Sequence, residues 1–188
     1  MHQDQLEYPV AQLIRDRRTV RQFREDPVPQ LLITKLLDIA CWAPNHGFRE
    51  PWRFIQYRGE ARRTFAESVV ATFSAEEKEK NGDRRLAYYM DIPVHLIVVA
   101  KEDPRAKQRE EDFAAVCCWI QNFQLAAWER GLGVVWKTNP YLHAPAFRET
   151  VGVHAGERIA AVLHVGYPAA IPDARPRISG ESLLTLHE

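Results

Sequence analysis

The chain has 188 residues and a mass of 21.7 kDa, with 46% hydrophobic and 27% charged residues, the mixture of a folded protein rather than a disordered tail. Its 25 basic and 25 acidic residues cancel, and a pI near 7.1 argues against a general polyanion binder. Three cysteines, two of them adjacent as Cys117 and Cys118, exclude a disulfide framework and fit a reduced, intracellular chain, so a cytoplasmic location is expected.

No apolar run approaches the roughly 20 residues needed to span a bilayer. The opening MHQDQLEYPV carries acids and a proline where a signal peptide needs an apolar stretch. Neither a repeat nor a long linker divides the chain, so one domain over 1–188 is expected. One asymmetry survives the zero net charge: 19 of the 25 basic residues are arginine, whose rigid fork suits phosphate and carboxylate. High genomic GC content or a solvated surface is the better explanation for most of them.

The first predicted helix opens at Pro9, with Val10, Leu13 and Ile14 at helical spacing, and stops near Arg18. Thr19 to Phe23 alternates as an extended segment does, and Asp26-Pro27-Val28-Pro29 reads as a turn. A second helix is expected from Gln30 to Trp42, a strand from Trp52 to Tyr57, and a third helix from Glu60 to Phe73. Ser74 to Met90 opens with a capping signature, Ser74 then Glu77. Its charge and its Asn81-Gly82 break suggest a surface excursion or lid. Pro93 to Ala100 is a buried strand by its β-branched content. Glu110 to Arg130 reads as the longest helix, acidic at its start and basic at its end, and ended by Gly131. Its apolar residues wrap more than one face, which suits the centre of a domain or a subunit interface. Leu132 to Trp136 is another strand, Ala144 to Val151 a short helix, and Arg158 to Val165 a last strand. This order lacks a regular βαβ rhythm and points to an α+β layered sandwich.

No GxGxxG after a strand, P-loop lysine or GxSxG elbow is present. The histidines lack metal-ligand spacing, so no metal is expected, and His95 and His164 fall in strands as core histidines do. The cysteines sit among apolar helical neighbours, where thiols are inert.

Three constellations carry the chemistry. Arg17, Thr19 and Arg21 project to one side if the chain is extended there, which offers two guanidinium forks and a hydroxyl to a phosphate. A basic helix terminus answering its own dipole is the alternative. The loop Ala43-Pro44-Asn45-His46-Gly47-Phe48-Arg49-Glu50-Pro51-Trp52 is polar and held by prolines at both ends. It reads equally as an ordinary helix-to-strand connection. Gly131 to Thr138 is a glycine-stopped helix entering an apolar strand with a polar end, weak evidence alone.

In this order the segments resemble the nitroreductase family of FMN-dependent oxidoreductases, from about Leu6 to Leu184. RRTVR at 17–21 is similar to the family's opening signature, with Thr for Ser, and APNHGFREPW at 43–52 to its Ala-Pro loop. Gly131 to Trp136 matches its Gly-Leu-Gly-x-x-Trp segment. Gly166-Tyr167-Pro168, with Arg175 and Arg177 following, resembles its closing motif. The length is that of the compact branch.

The resemblance implies a three-layer α/β/α sandwich with a mixed central sheet and helices on both faces. It also implies a homodimer with FMN at the subunit interface. On this reading Arg17, Thr19 and Arg21 hold phosphate and ribityl oxygens, Arg175 and Arg177 close on the phosphate, and Arg18 meets the flavin. Pro44, Asn45 and His46 face the ring, expected from the other subunit. Trp136, Lys137 and Thr138 lie along its far side, with backbone N–H groups toward it. Two departures stand in the loop: Phe48 replaces the family's Asn and Glu50 its Gln, and an ionised Glu only accepts hydrogen bonds. Glu50 is kept as a flavin-binding candidate.

The activity implied is ping-pong transfer of hydride from NADH or NADPH through FMN to nitroaromatics, quinones or unsaturated carbonyl compounds, with no side-chain acid or base required. A flavin-binding store, sensor or regulatory partner of the same fold is the alternative, and other members fragment flavin or remove halogens. A nucleic-acid contact through RRTVRQFR lacks supporting basic and aromatic clusters, so no nucleic acid and no membrane partner is expected.

Overall fold

The computed structural model describes residues 8–187. Leu6, where the resemblance begins, and the reading of the first seven residues as lacking a leader lie outside them. Ten regular elements follow one another: α1 (Pro9–Asp16), α2 (Gln30–Ala40), β1 (Trp52–Arg58), α3 (Ala61–Ala71), α4 (Ala75–Met90), β2 (Val94–Lys101), α5 (Ala106–Glu129), β3 (Gly133–Lys137), α6 (Pro145–Thr150) and β4 (Glu157–Gly166). Three short 3-10 turns, His46–Phe48, Pro140–His143 and Glu181–Leu183, were not legible as helical periodicity because none completes a repeat.

The strands form one sheet in the order β1-β2-β4-β3, each pair antiparallel. The parallel component among the described residues is a single bridge, Thr19 to Val134, by which the segment after α1 extends the sheet beyond β3. Strand β2 explains the layering. Val94, Leu96, Val98 and Ala100 enter one core with α2 and α5, while Ile97 and Val99 enter a second core with α3, α4 and α6. A bulge opposite Val98 and Val99 leaves Ala160 unpaired and sends it, with Ala161, into the first core. Helices cover both faces, so the molecule is a three-layer α+β sandwich. No helix among the described residues is long and apolar enough to cross a membrane.

Two expectations need correction. The segment 74–90 contains no break at Asn81-Gly82. It is one helix, α4, started by a full capping box between Ser74 and Glu77. Gly82 is buried in it, and a Cβ there would lie 3.7 Å from Val70, an ordinary contact. Gly82→Ala is therefore expected to stabilise the protein by about 0.5–1 kcal/mol in urea denaturation, the helical penalty of glycine. Helix α5 begins at Ala106, four residues before Glu110, so its first turn holds Lys107 and Arg109 and no acid. Ala, Lys, Gln and Arg are strong helix formers that need no apolar stripe when exposed, so periodicity undershoots the start.

The approach of the 17–23 segment to β3 depends on one glycine. A Cβ on Gly133 would fall 2.5 Å from Val20 Cβ, inside a fully buried contact. Gly133→Ala is expected to cost about 1–3 kcal/mol and to push Thr19 away from Val134, read as a lower urea midpoint.

Behind the sheet face of the second core lies a polar pair. His95 on β2 and His164 on β4 are fully buried cross-strand neighbours, with Nδ1 to Nδ1 at 2.8 Å. His95 Nε2 lies 2.8 Å from the Tyr89 carbonyl, which only accepts, so Nε2 carries the proton and His95 Nδ1 is the acceptor. His164 therefore donates from Nδ1, and its bare Nε2 is buried without a partner. Phe65 stacks on the His95 ring at 4.1 Å. The pair is core structure, as its strand positions suggest, except for that one unsatisfied nitrogen.

Candidate functional site

Helix α1 ends at Asp16 because Arg17 leaves the helical region, with φ −55° and ψ 132°. The chain then runs extended, held by Val20 N–H donating to the Val134 carbonyl at 3.2 Å and by the Thr19–Val134 bridge. At its far end Phe23 bridges Pro168, which brings the C-terminal tail back over the same segment. These pairings build a cavity of about 640 Å³. It is lined by Arg17, Arg18, Thr19 and Arg21 on one side and by Arg175 and Arg177 on the other. Ile14 and Arg15 of α1, Gln121 of α5, Pro172, Asp173 and Ala174 complete the wall and were not singled out as site residues by the sequence.

The alternation of 17–23 accounts for Arg17, Thr19 and Arg21 on one wall, but Arg18 joins them. Its Nη1 turns back to donate to the carbonyls of Arg15 and Arg17. Arg177 Nη1 likewise donates to the Arg175 carbonyl at 2.8 Å. Among the described residues none of these arginines is paired with a carboxylate, although Asp173 shares the wall. Arg17 is the extreme case: its Nε is buried without a hydrogen-bond partner. Burial, then the charges of Arg177 and Arg18, make its protonation less favourable than for an ordinary arginine. An unpaired buried donor beside like charges is costly in isolation and suits a dianion. The donor set fits the phosphate of FMN, and the volume is in the usual range for a cofactor site.

The other expected residues do not line this cavity. Pro44, His46 and Glu50 are exposed on the 43–52 loop, while Asn45 is half-buried. Asn45 Oδ1 accepts from Glu50 N–H at 3.0 Å, and its Nδ2 donates to the Ala43 carbonyl at 3.3 Å. The loop is bent through left-handed backbone at Gly47, Phe48 and Glu50, with φ of 62°, 51° and 43°. Arg49 anchors it, clamping Asp112 of α5 through two 3.0 Å contacts and reaching Asp103 at 3.1 Å. Trp42 and Phe48 are about nine-tenths exposed. Trp136 is half-buried against the first core, Lys137 is half-buried and Thr138 is exposed at the end of β3. Within one chain, neither the loop nor the end of β3 lines the arginine cavity.

Of the cysteines, Cys118 is exposed and Cys117 half-buried on α5, and Cys41 follows α2, so only part of the expected apolar burial is present. Burial pushes the Cys117 thiol up, away from a reactive thiolate. Among the described residues no group of three or more His, Cys, Asp or Glu could hold a metal ion.

A model of the Nitroreductase family matches residues 14–167. "Putative NAD(P)H nitroreductase YfhC" of Bacillus subtilis (strain 168) is 37% identical over 169 residues, 88% of this chain and 87% of that protein. The crystal structure of a nitroreductase-like family protein from Bacillus cereus is 41% identical, with a TM-score of 0.92 over 95% of this chain and 96% of its own. A nitroreductase-fold protein of Desulfovibrio desulfuricans, crystallised in complex with FMN, is 23% identical with a TM-score of 0.77 over 97% of this chain and 98% of its own. By a match that spans most of its length and by its fold, this chain belongs to the nitroreductase family.

Proposed function

We propose that this one-domain chain is an FMN-dependent oxidoreductase that uses NADH or NADPH to reduce nitroaromatics, quinones or related acceptors. It acts as a homodimer with flavin at the subunit interface, and its cysteine usage supports a cytoplasmic setting. The observation that carries the reading is the arginine cavity, above all the buried and partnerless Nε of Arg17.

When bound, FMN supplies the redox chemistry, accepting a hydride from the nicotinamide and passing electrons to the acceptor. The chain's own residues bind and orient. Arg17 would donate to phosphate oxygens, and Arg175 and Arg177 would close from the tail, relieving the repulsion between Arg17 and Arg177. Thr19 and Arg21 hold ribityl oxygens, and Arg18 fixes the turn through its carbonyl contacts. Trp136 and the backbone N–H groups at Lys137 and Thr138 would orient the ring and favour negative charge on it. Pro44, Asn45, His46 and Glu50 complete the site from a second copy. That none of the four lines the cavity within one chain supports that assignment, as does the exposure of Pro44, His46 and Glu50 on a loop anchored by Arg49.

The test is anaerobic titration of the FMN-loaded protein with NADH and with NADPH, followed by a quinone or nitroaromatic. Bleaching of the flavin colour by a nicotinamide and its return with the acceptor is the expected result. Colour that ignores both nicotinamides would instead identify a flavin-binding protein that is not a reductase.

A further inference from the structure

The 43–52 loop is held in a shape that its own residues do not favour. Phe48 and Glu50 both carry a Cβ and both sit in left-handed backbone, a conformation that persists only where surrounding contacts impose it. Arg49 between them has ordinary helical angles, φ −71° and ψ −22°. The Asn45 amide is engaged with the loop's own backbone at Ala43 and Glu50. The loop's exit is fixed to the sheet, where Lys101 N–H donates to the Pro51 carbonyl at 3.0 Å. Among the described residues, Arg49 makes the loop's only side-chain hydrogen bonds to another part of the fold.

This tie is a fork onto a buried acceptor. Arg49 Nε and Nη2 each donate to one oxygen of Asp112 at 3.0 Å, and Asp112 is only 2% exposed on α5. Nη2 also donates to Asp103 at 3.1 Å. Both carboxylates are held in turn: Gln108 Nε2 donates to Asp112 at 3.0 Å, and Arg105 Nε donates to Asp103 at 2.8 Å. A two-point contact with a buried carboxylate fixes direction as well as distance, which an exposed single-point pair does not. The Arg49 guanidinium thus faces α5, while Phe48 and Glu50 on either side of it are exposed.

We propose that Arg49 and Asp112 are positioning residues for the redox site: their fork holds the strained turn in the shape in which the loop meets the flavin ring bound by the second copy. Helix α5 of one chain then sets the ring side of the other chain's site. The inference rests on the flavin reading above, and on its placement of Pro44, Asn45, His46 and Glu50 in the second copy's site. It adds to that site two residues that act without touching the flavin.

Arg49→Lys keeps the charge beside Asp112 but loses the fork, so it is expected to bind FMN and riboflavin each about tenfold more weakly. Its FMN-to-riboflavin ratio should stay that of the wild type, because the phosphate cradle is untouched, whereas Arg17→Ala should collapse the ratio. Asp112→Asn is expected to behave as Arg49→Lys does. Arg53→Lys breaks a fork of the same kind, Arg53 Nε and Nη2 on Glu157 at 2.6 Å, and is expected to leave both affinities unchanged. Fluorescence titration reads the affinities, and thermal melts show that each variant is folded. A mixed dimer of one Arg17→Ala chain and one Arg49→Lys chain, isolated through two tags, gathers both defects into one site. It is expected to bind one FMN with wild-type affinity at the other. Wild-type affinities in folded Arg49→Lys, an equal loss in Arg53→Lys, or a mixed dimer without a wild-type site overturns the proposal and leaves the flavin reading standing. A wild-type chain that binds neither flavin overturns the flavin reading and the proposal with it.

Discussion

Arg17→Ala is expected to weaken FMN binding by on the order of 100-fold, the usual consequence of truncating one partner of a buried charge-assisted contact. Arg17 stands at the point where α1 stops, half-buried, with a partnerless Nε and with Arg18 and Arg177 as neighbouring charges. A bound phosphate would satisfy all of these at once. Arg17→Lys keeps the charge but loses the fork, so an intermediate loss is expected. Arg63→Ala, on the exposed face of α3, is expected to leave the affinity unchanged. The flavin-free Arg17→Ala protein should melt no lower than the wild type, because the substitution removes repulsion rather than a native contact. Fluorescence titration of FMN and thermal melts of the flavin-free proteins measure both effects. Equal FMN affinity in wild type and Arg17→Ala would remove Arg17 from the phosphate site.

The second large effect is a loss of stability in mild acid, caused by the buried histidine pair. Burial holds the His95 imidazole down to about 3, with Arg62 adding to the shift and the Tyr89 carbonyl opposing it. Burial, then His95 and Lys137, holds His164 well below its ordinary value as well. Both are neutral in the folded chain, whereas an unfolded histidine takes up a proton near 6.5. Below that pH the unfolded state binds more protons, so stability is full above about 6.5 and falls as the pH drops, until the folded histidines themselves protonate. His95 alone accounts for about 1.4 kcal/mol per pH unit, or roughly 2 kcal/mol between pH 6.5 and 5, and His164 acts in the same direction. The carboxylates held down by arginine, Asp103 and Glu157, lose their contribution only at lower pH, so the window above 5 belongs to the histidines. Urea denaturation at pH 7 and pH 5 measures the loss. The double variant His95→Gln, His164→Gln should flatten it. Histidine nitrogen NMR gives an independent check, with a proton on His95 Nε2 and on His164 Nδ1. A stability that does not change between pH 7 and 5 contradicts the neutral pair.

Much of this molecule is legible before any coordinates. The alternation in Thr19 to Phe23 shows that the chain leaves its helix near Arg18, and the β-branched run at 93–100 marks a buried strand. Both follow from local sterics and burial. The continuity of α4 through Asn81-Gly82 is not legible, because a turn dipeptide is overruled when the glycine is buried against Val70 and the helix is capped at both ends. The early start of α5 is hidden for a similar reason, since exposed helix formers carry no period.

The site divides the same way. Arg17, Thr19 and Arg21 announce themselves by spacing, and Arg175 and Arg177 by resemblance. The meeting of the tail with the 17–23 segment depends on the Phe23–Pro168 bridge, a contact 145 positions apart along the chain.

The claim that an arginine cradle holds the phosphate of a flavin is tested most directly by titrating the flavin-free chain with FMN and with riboflavin, which differ by the phosphate alone. Binding of one FMN per chain, with riboflavin weaker by on the order of 100-fold or more, is the predicted result. Equal affinities, or a chain that binds neither, would contradict the account.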